Sequence, residues 1–385
     1  MTTPDGFPPQ LLAQPVAARL AYFQNKVVAH PRLKEAHQTL IQAINQPANA
    51  SLIFVFGPTG VGKTTLRRRI EQQLLQEALP ILAQDPGRCP VVSLEAVAPE
   101  LGNFNWKDYY MRALIALDEP LLAHKCDYGV SGIYHDDTGQ LVIAQGVVIA
   151  KLRRALEQCL RHRRLTALIV DEAQHLQKMA SGRRLLDQMD TIKSLAGMTG
   201  TVHVLVGTYE LLTLTDLSAQ LSRRSIDIHF PRYRADCAGD VTAFKSVLLT
   251  FQRHLPLAKE PDLVGRYDYF YEHSVGCVGI LKNWLDRTLA AALADDQATL
   301  TPAYLDHLAV PTRKLLRLAR EIQAGEAALV DREEGRAELR HFLGLMPEAA
   351  TTRIAEPGTT RPRQTRRVGQ RQPKRDPVGA NGHEP

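Results

Sequence analysis

Cysteine is scarce: five occur in 385 residues, at Cys89, Cys126, Cys159, Cys237 and Cys277, and none forms a CxxC pair. An odd, scattered set excludes a disulfide framework and a cysteine-ligated zinc site, which leaves buried reduced thiols. No run of eighteen apolar residues occurs, so no membrane span is expected. Met1 to Gln10 lacks the basic and apolar regions of a signal peptide, and the expectation is a soluble cytosolic protein. Neither sign of charge dominates, because 47 Lys+Arg against 41 Asp+Glu gives only +6. The mean therefore names no partner, but its distribution is uneven. Residues 350–385 hold eight basic side chains and three acids, which is most of the excess. A composition of 44% hydrophobic and 23% charged residues is globular and excludes collagenous, mucin-like and wholly disordered chains.

The pattern along the chain alternates. Helical spacing from Ala17 to Ile44 breaks at His30-Pro31, since the residue before proline is pushed out of the helical region. Ser51 to Phe56 is a continuous apolar run ahead of a glycine-rich turn, the pattern of a buried parallel strand. A helix follows over Lys63 to Leu79 and a strand over Pro90 to Leu94. The spacing then predicts helices over Trp106–Leu117 and Gly146–Arg161, a strand at Thr166–Asp171 and a helix at Leu185–Ala196. Next come strands at Val202–Val206 and Ile226–Phe230, with a short helix at Ser218–Arg223 between them. This is the signature of an α/β fold, a parallel sheet flanked by helices. Lys125 to Gln145 reads as a loop or small hairpin. Beyond Tyr233 helices are expected over Val241–Leu255, Asp262–His273, Ile280–Leu293 and Ala303–Ala324, the last broken at Pro311. The expected division is a lead-in over 1–50, an α/β core over 51–235, a helical module over 236–346 and a disordered basic tail over 347–385.

Gly57-Pro58-Thr59-Gly60-Val61-Gly62-Lys63-Thr64 is an instance of GxxxxGK[ST] placed between a strand and a helix, the context the phosphate loop requires. Its glycines let backbone N–H groups curl around phosphate oxygens, and the helix N-terminus adds partial positive charge. Gly57, Pro58, Thr59, Gly60, Val61, Gly62, Lys63, Thr64 and Thr65 form the candidate ATP-binding set, with Lys63 on the β and γ phosphates and Thr64 on Mg2+. A second strand ends in Asp171-Glu172. A carboxylate there can hold Mg2+ beside Thr64 and the next can polarise water, so Asp171 takes the first role and Glu172 the second. Val204-Leu205-Val206-Gly207-Thr208 brings Thr208 to the same end of the sheet, as a γ-phosphate sensor or as an ordinary strand-end threonine. Arg223-Arg224 precedes the last strand, where an oligomeric ATPase presents an arginine finger to its neighbour. Arg224 is preferred and Arg223 is the alternative, with a solvated basic helix end as the plain reading.

Together these motifs resemble the AAA+ ATPases, with a helical lid after the core. Within them the chain resembles the TniB and TnsC family of transposition regulators, through His30-Pro31, IVDEAQHL at Ile169 to Leu176, LVGTYEL at Leu205 to Leu211 and RRSIDIHFPRY at Arg223 to Tyr233. The resemblance spans about residues 15 to 290. It implies a bacterial cytoplasmic protein that forms a ring or helical filament on duplex DNA, links a target-selection protein (an RNA-guided complex being one form) to a transposase, and is dismantled by slow, assembly-dependent ATP hydrolysis. There is one departure. In Ser274 to Lys282, which resembles the second sensor segment, Gly279 stands where many AAA+ proteins carry arginine, and Lys282 is the candidate substitute one turn later.

The same resemblance points to Asn103-Phe104-Asn105-Trp106-Lys107 for DNA contacts, so Trp106 and Lys107 are candidates. Lys151, Arg153, Arg154, Arg161, Arg163 and Arg164 form a second basic set, from which Lys151 and Arg154 are taken. Such residues hold phosphates without reading bases, and binding would weaken steeply with salt. Trp106 reads equally as a core aromatic and the arginines as a solvated helix face. RPRQTRR and RQPKR in the tail suit DNA, a protein partner or solubility. A replication initiator or helicase loader shares every ATPase motif and is the alternative function, and a signalling switch that oligomerises without nucleic acid is a third.

Overall fold

Lead-in helices α1 (Val16–Gln24) and α2 (Pro31–Asn45) come first. The break between them follows from Pro31. His30 is extended at φ −110° and ψ 158°, and Pro31 opens α2 at its first position, where a missing N–H costs nothing. The next segment, β1 (Leu52–Phe56), is buried at all five positions. Leu52, Phe54 and Phe56 face one apolar core while Ile53 and Val55 face another, as the two-residue period of a strand requires. The computed structural model describes residues 6–99, 104–117, 133–135, 141–143, 149–177, 183–215, 223–330 and 333–345.

Helix α3 (Lys63–Leu82) follows β1 and leads to β2 (Val91–Glu95), α4 (Trp106–Ala116) and a two-stranded antiparallel pair, β3 (Ile133–His135) with β4 (Leu141–Ile143). Then come α5 (Ile149–His162), β5 (Ala167–Asp171), α6 (Arg183–Thr199), β6 (Val202–Gly207), α7 (Leu212–Thr215) and β7 (Ser225–His229). β2, β5, β6, β1 and β7 lie side by side in that order, every pairing parallel. The expected α/β architecture is thus the observed one. The helix expected over Ser218–Arg223 lies outside the described residues except for Arg223, as do most of Lys125–Gln145 and all of the tail over 347–385.

Helices cover the sheet on both faces. On one, α5 buries Leu152, Ala155, Leu156, Cys159 and Leu160, an i, i+3, i+4 stripe, beside Tyr109, Tyr110 and Leu114 of α4 and Ile192 and Leu195 of α6. On the other, Leu33, Leu40 and Ile44 of α2 join Leu66, Ile70 and Leu74 of α3. A third core lies in the helices α8 (Ala238–His254), α9 (Tyr267–Ser274) and α10 (Val278–Ala294), around Phe244, Phe251, Phe270 and Trp284, and α11 (Pro302–Leu308) adds Leu305. The break expected at Pro311 separates α11 from α12 (Thr312–Ala328). α9 begins five residues later than the spacing suggested, because Asp262 accepts the Gly265 N–H at 2.8 Å and the Gln252 side chain accepts those of Leu263 and Val264, holding a turn.

The lead-in is divided between two of these cores. α1 inserts Phe23 into the helical one, while α2 packs on the sheet. Arg32 of α2 binds Asp240 of α8 at 2.9 Å, and His30 Nδ1 lies 3.0 Å from the Tyr233 hydroxyl. Burial lowers His30 to about 4, with Arg69 adding to the shift, so this contact is made by a neutral ring at neutral pH. Val330–Pro385 is a unit apart from Met1–Leu329. Its helix α13 (Glu333–Phe342) buries no side chain and carries Glu333 and Glu334 in its first turn and Arg340 and His341 in its last, as the helix dipole favours.

Phe23 is fully buried, its ring 6.0 Å from that of Phe251. Phe23→Ala should cost about 3–5 kcal/mol, lower the thermal midpoint by several degrees and expose α1 to limited proteolysis. An unchanged melt with intact α1 would show that this docking adds nothing.

Candidate nucleotide site

The turn after β1 is shaped by its glycines. Gly60 and Gly62 have φ of +77° and +117°, conformations that side chains resist. Gly62 caps α3, so the helix starts with Lys63 pointing into the loop it has just left. The Lys63 ammonium donates to the carbonyls of Gly57 and Pro58, both at 2.9 Å. It is only 8% exposed, and burial lowers it to about 8 against the opposing pull of Glu172, Cys277 and Asp171. Thr64 is exposed in the first turn and Thr65 half-buried.

β5 brings up the acids. Asp171 is buried, and its Oδ1 accepts the Glu172 N–H at 3.0 Å while Oδ2 accepts Arg67 Nε at 3.1 Å. Arg67, one turn beyond Lys63, also binds Glu71 at 2.7 Å and the Ser93 hydroxyl. Glu172 has a left-handed backbone at φ +51°, which turns the chain sharply off β5. Its carboxylate accepts from the Gln174 side-chain amide, whose oxygen accepts the Thr208 N–H at 3.2 Å. The Thr208 hydroxyl oxygen is buried and has no hydrogen-bond partner. A cavity of about 500 Å3 opens here, between Pro58, Thr59, Thr208 and Tyr209 on one side and Ile322 and Gly325 of α12 on the other. Arg232 anchors α12 by pairing its Nε and Nη2 with the two carboxylate oxygens of Glu326, at 2.9 and 3.1 Å.

These residues fit a nucleoside triphosphate with Mg2+. The positive-φ turn, a lysine held on backbone carbonyls and an orphaned buried hydroxyl all meet at one end of the sheet. Asp171 accepts two hydrogen bonds and keeps lone pairs that could hold a cation, and the exposed Thr64 could be its companion ligand. Among the described residues no cluster of three His, Cys, Asp or Glu could hold a metal; phosphate-bound Mg2+ needs only one or two carboxylates.

Lys282 does not gather there, and the arginine pair and the candidate DNA contacts lie elsewhere. Gly279 donates its N–H to the Gly60 carbonyl at 2.7 Å, and a Cβ at 279 would lie 2.5 Å from that oxygen. The backbone contact between α10 and the loop thus excludes the arginine of the resembling family. Lys282 does not replace it: its ammonium is held by Asp286 at 2.6 Å and lies 4.4 Å over the Phe23 ring. Arg223 and Arg224 are exposed, and the Arg224 carbonyl accepts the Ser51 N–H at 3.0 Å, at the start of β1. Gly57 is six residues further along, roughly 20 Å at strand rise, so neither arginine serves its own phosphate loop. Trp106 turns out to be a packing residue, half-buried against Phe104, Tyr109 and Tyr110 with ring centroids 5.2–5.7 Å away. Lys107 beside it is half-buried, whereas Lys151 and Arg154 lie exposed on α5. Arg153 instead binds Glu157 and Ser194, and Arg161 the Met198 carbonyl. Arg67 and Gln174 were not singled out from sequence; one is a helical turn past the motif lysine and the other two residues past the acid, the signals that were available.

The family model described as an AAA domain matches residues 46–215. Among solved structures the chain is similar to the ORC2 protein of Aeropyrum pernix in its ADP form, at 16% identity and a TM-score of 0.50 over 75% of this chain and 71% of that one. It is also similar to the ORC1 protein of Aeropyrum pernix solved in complex with DNA, at 15% identity and a TM-score of 0.49 over 74% and 68%. At such identities the likeness is one of fold. No curated protein matches. No helix among the described residues is long and apolar enough to cross a membrane. The chain carries an AAA+ ATPase domain, and its activity is ATP hydrolysis.

Lys63 gives this site a measurable proton linkage. With its ordinary value lowered to about 8, much of it is neutral at pH 8.5, and phosphate oxygens favour the charged form. ATP binding should therefore take up more than about half a proton at pH 8.5 and close to none at pH 7. Calorimetry in two buffers of different ionisation enthalpy reads this directly; equal uptake at both pH values would contradict it.

Proposed function

We propose that this chain is an AAA+ regulator of transposition that assembles on duplex DNA with ATP, links a target-selection protein to a transposase, and is released by hydrolysis. The observation that carries the assembly is the position of Arg224, level with Ser51 and out of reach of its own phosphate loop. An arginine so placed is exposed and available to the site of a second copy, and such a head-to-tail contact repeats into a ring or filament. The transposition role rests on the motifs of the TniB and TnsC resemblance. Lys151 and Arg154, exposed on α5, are the proposed contacts to the DNA backbone.

In the proposed mechanism the loop N–H groups and Lys63 bind the β and γ phosphates, and Lys63 exchanges its two carbonyl partners for phosphate oxygens. Thr64 and Asp171 would hold Mg2+, whose charge would offset that on those oxygens. Glu172 orients the attacking water and accepts its proton as the water oxygen bonds to the γ phosphorus. The bond from that phosphorus to the bridging oxygen breaks, and its electron pair leaves with ADP. Thr208 positions the water or the γ phosphate from β6, and Arg224 of the adjacent copy meets the developing charge.

Glu172→Gln should leave rings or filaments that persist on duplex DNA with ATP, seen by negative-stain microscopy; rapid disassembly would overturn the mechanism. Arg224→Ala should lower kcat by about a thousandfold. An equal mixture of the two variants should recover about a quarter of the wild-type rate, because a quarter of random head-to-tail junctions pair an intact site with an intact arginine. No recovery would mean that the arginine is not supplied in trans. Recruitment of a replicative helicase instead of a transposase by the DNA-bound assembly would favour an initiator or loader.

A further inference from the structure

Gln174 lies just after β5, in the short turn Ala173–Gln177, and is 6% exposed. Nothing about burial requires a glutamine there, and a buried amide must have its donors and acceptor matched. Both ends are matched to the site. Its oxygen accepts the Thr208 N–H at 3.2 Å, a backbone donor that cannot accept, so its nitrogen is obliged to face the Glu172 carboxylate. The fit is tight: a Cβ on Gly207 would lie 2.4 Å from the Gln174 amide oxygen. Gly207 in turn pairs with Phe56, the last residue before the phosphate loop.

We infer that Gln174 is a positioning residue that fixes the Glu172 carboxylate and ties it to the end of β6, so that the water-activating acid moves with Thr208. The inference rests on the reading of Glu172 as the acid that activates water. Glu172 stands on a left-handed turn with its backbone held by the Asp171 side chain and the His175 N–H. Without the amide its side chain would be free to rotate among rotamers at the mouth of the site. With the amide it is tied through Gln174 to the Thr208 backbone, while the Thr208 hydroxyl has no hydrogen-bond partner. A γ phosphate that engages that hydroxyl would shift Thr208, and the shift would reach Glu172 through a single buried side chain. Gln174 thus makes the acid responsive to the triphosphate without touching it.

Three variants test this in the full chain assembled on duplex DNA. Gln174→Leu removes both hydrogen bonds at similar volume, and Gln174→Glu keeps an acceptor for Thr208 but faces Glu172 with a second acid. Gly207→Ala pushes the amide out of place while leaving it present. Each should lower kcat at least about tenfold while the Kd for a fluorescent ATP analogue stays within about threefold. A kcat within twofold of wild type, or a fall in kcat matched by weaker analogue binding and a lower melting temperature, would reduce Gln174 to packing. Glu172→Gln run alongside separates the layers. If it still hydrolyses ATP, the role of Glu172 fails and the inference with it; if it is inactive while the Gln174 variants are normal, the inference alone fails.

Discussion

The parallel register of β1 between β6 and β7 is the constraint on which the nucleotide site depends. Phe56 pairs with Gly207 on one side and His229 on the other, so the phosphate loop, Thr208 and the segment leading to Arg232 all leave the sheet at the same level. Parallel pairing sends every strand's C-terminal end to one edge, and there the loops can meet. β5, next to β6, delivers Asp171 and Glu172 to that edge. The apolar alternation along β1 that splits its side chains between two cores also fixes this register. A slip of one residue would turn Phe54 toward α3 and Val55 toward α5, and would carry Gly57 away from the acids.

Around this edge the helical module is attached by backbone rather than by charge. Gly279 meets Gly60 through an N–H to carbonyl bond, and the space between them is too small for a side chain. Lys282, one turn beyond Gly279, lies with Asp286 and over Phe23 of α1 instead of turning toward the phosphates. Lys282 is thereby spent on docking the lead-in helix. Two consequences follow. α1 shares the module's apolar core through Phe23, and the module brings no positive charge to the loop at either of these positions.

Much of this was legible in the sequence and the remainder was not, for identifiable reasons. β1, β5 and β6 were readable because a strand buried on both faces must be continuously apolar, and α5 because its stripe of Leu152, Leu156 and Leu160 recurs at helical spacing. His30-Pro31 and Pro311 marked breaks through steric rules that act within two residues. The phosphate loop was readable because its chemistry is local, with glycine, lysine and threonine acting on one ligand from one turn. Gln174 was hidden because its role depends on Thr208, 34 positions away and joined to it only by the sheet. Arg67 and Lys282 were hidden by the same cause: which acid each basic residue selects is decided by packing between elements, and sequence spacing gave Lys282 a phosphate where the fold gives it Asp286. Trp106 was ambiguous because an aromatic at a helix start serves a core or a surface equally well, and only the neighbouring Phe104, Tyr109 and Tyr110 decide it.

The arrangement of charge links the chemistry to assembly. Within one copy, Asp171 is already matched by Arg67, and Arg67 by Glu71 and Asp171 together. Lys63 is the cation buried in the loop itself, and its desolvation is tolerable only because two carbonyls hold it. Phosphate oxygens would supply Lys63 with the counter-charge it lacks, so binding is favoured in a single copy. Hydrolysis asks for more, since charge spreads onto the γ oxygens in the transition state and must be met there. Gly279 leaves no side chain to meet it and Lys282 is engaged elsewhere, while Arg224 lies at the opposite edge of the sheet. On the proposed reading a single copy is therefore built to bind ATP and not to cleave it quickly, and the missing positive charge arrives with the next copy.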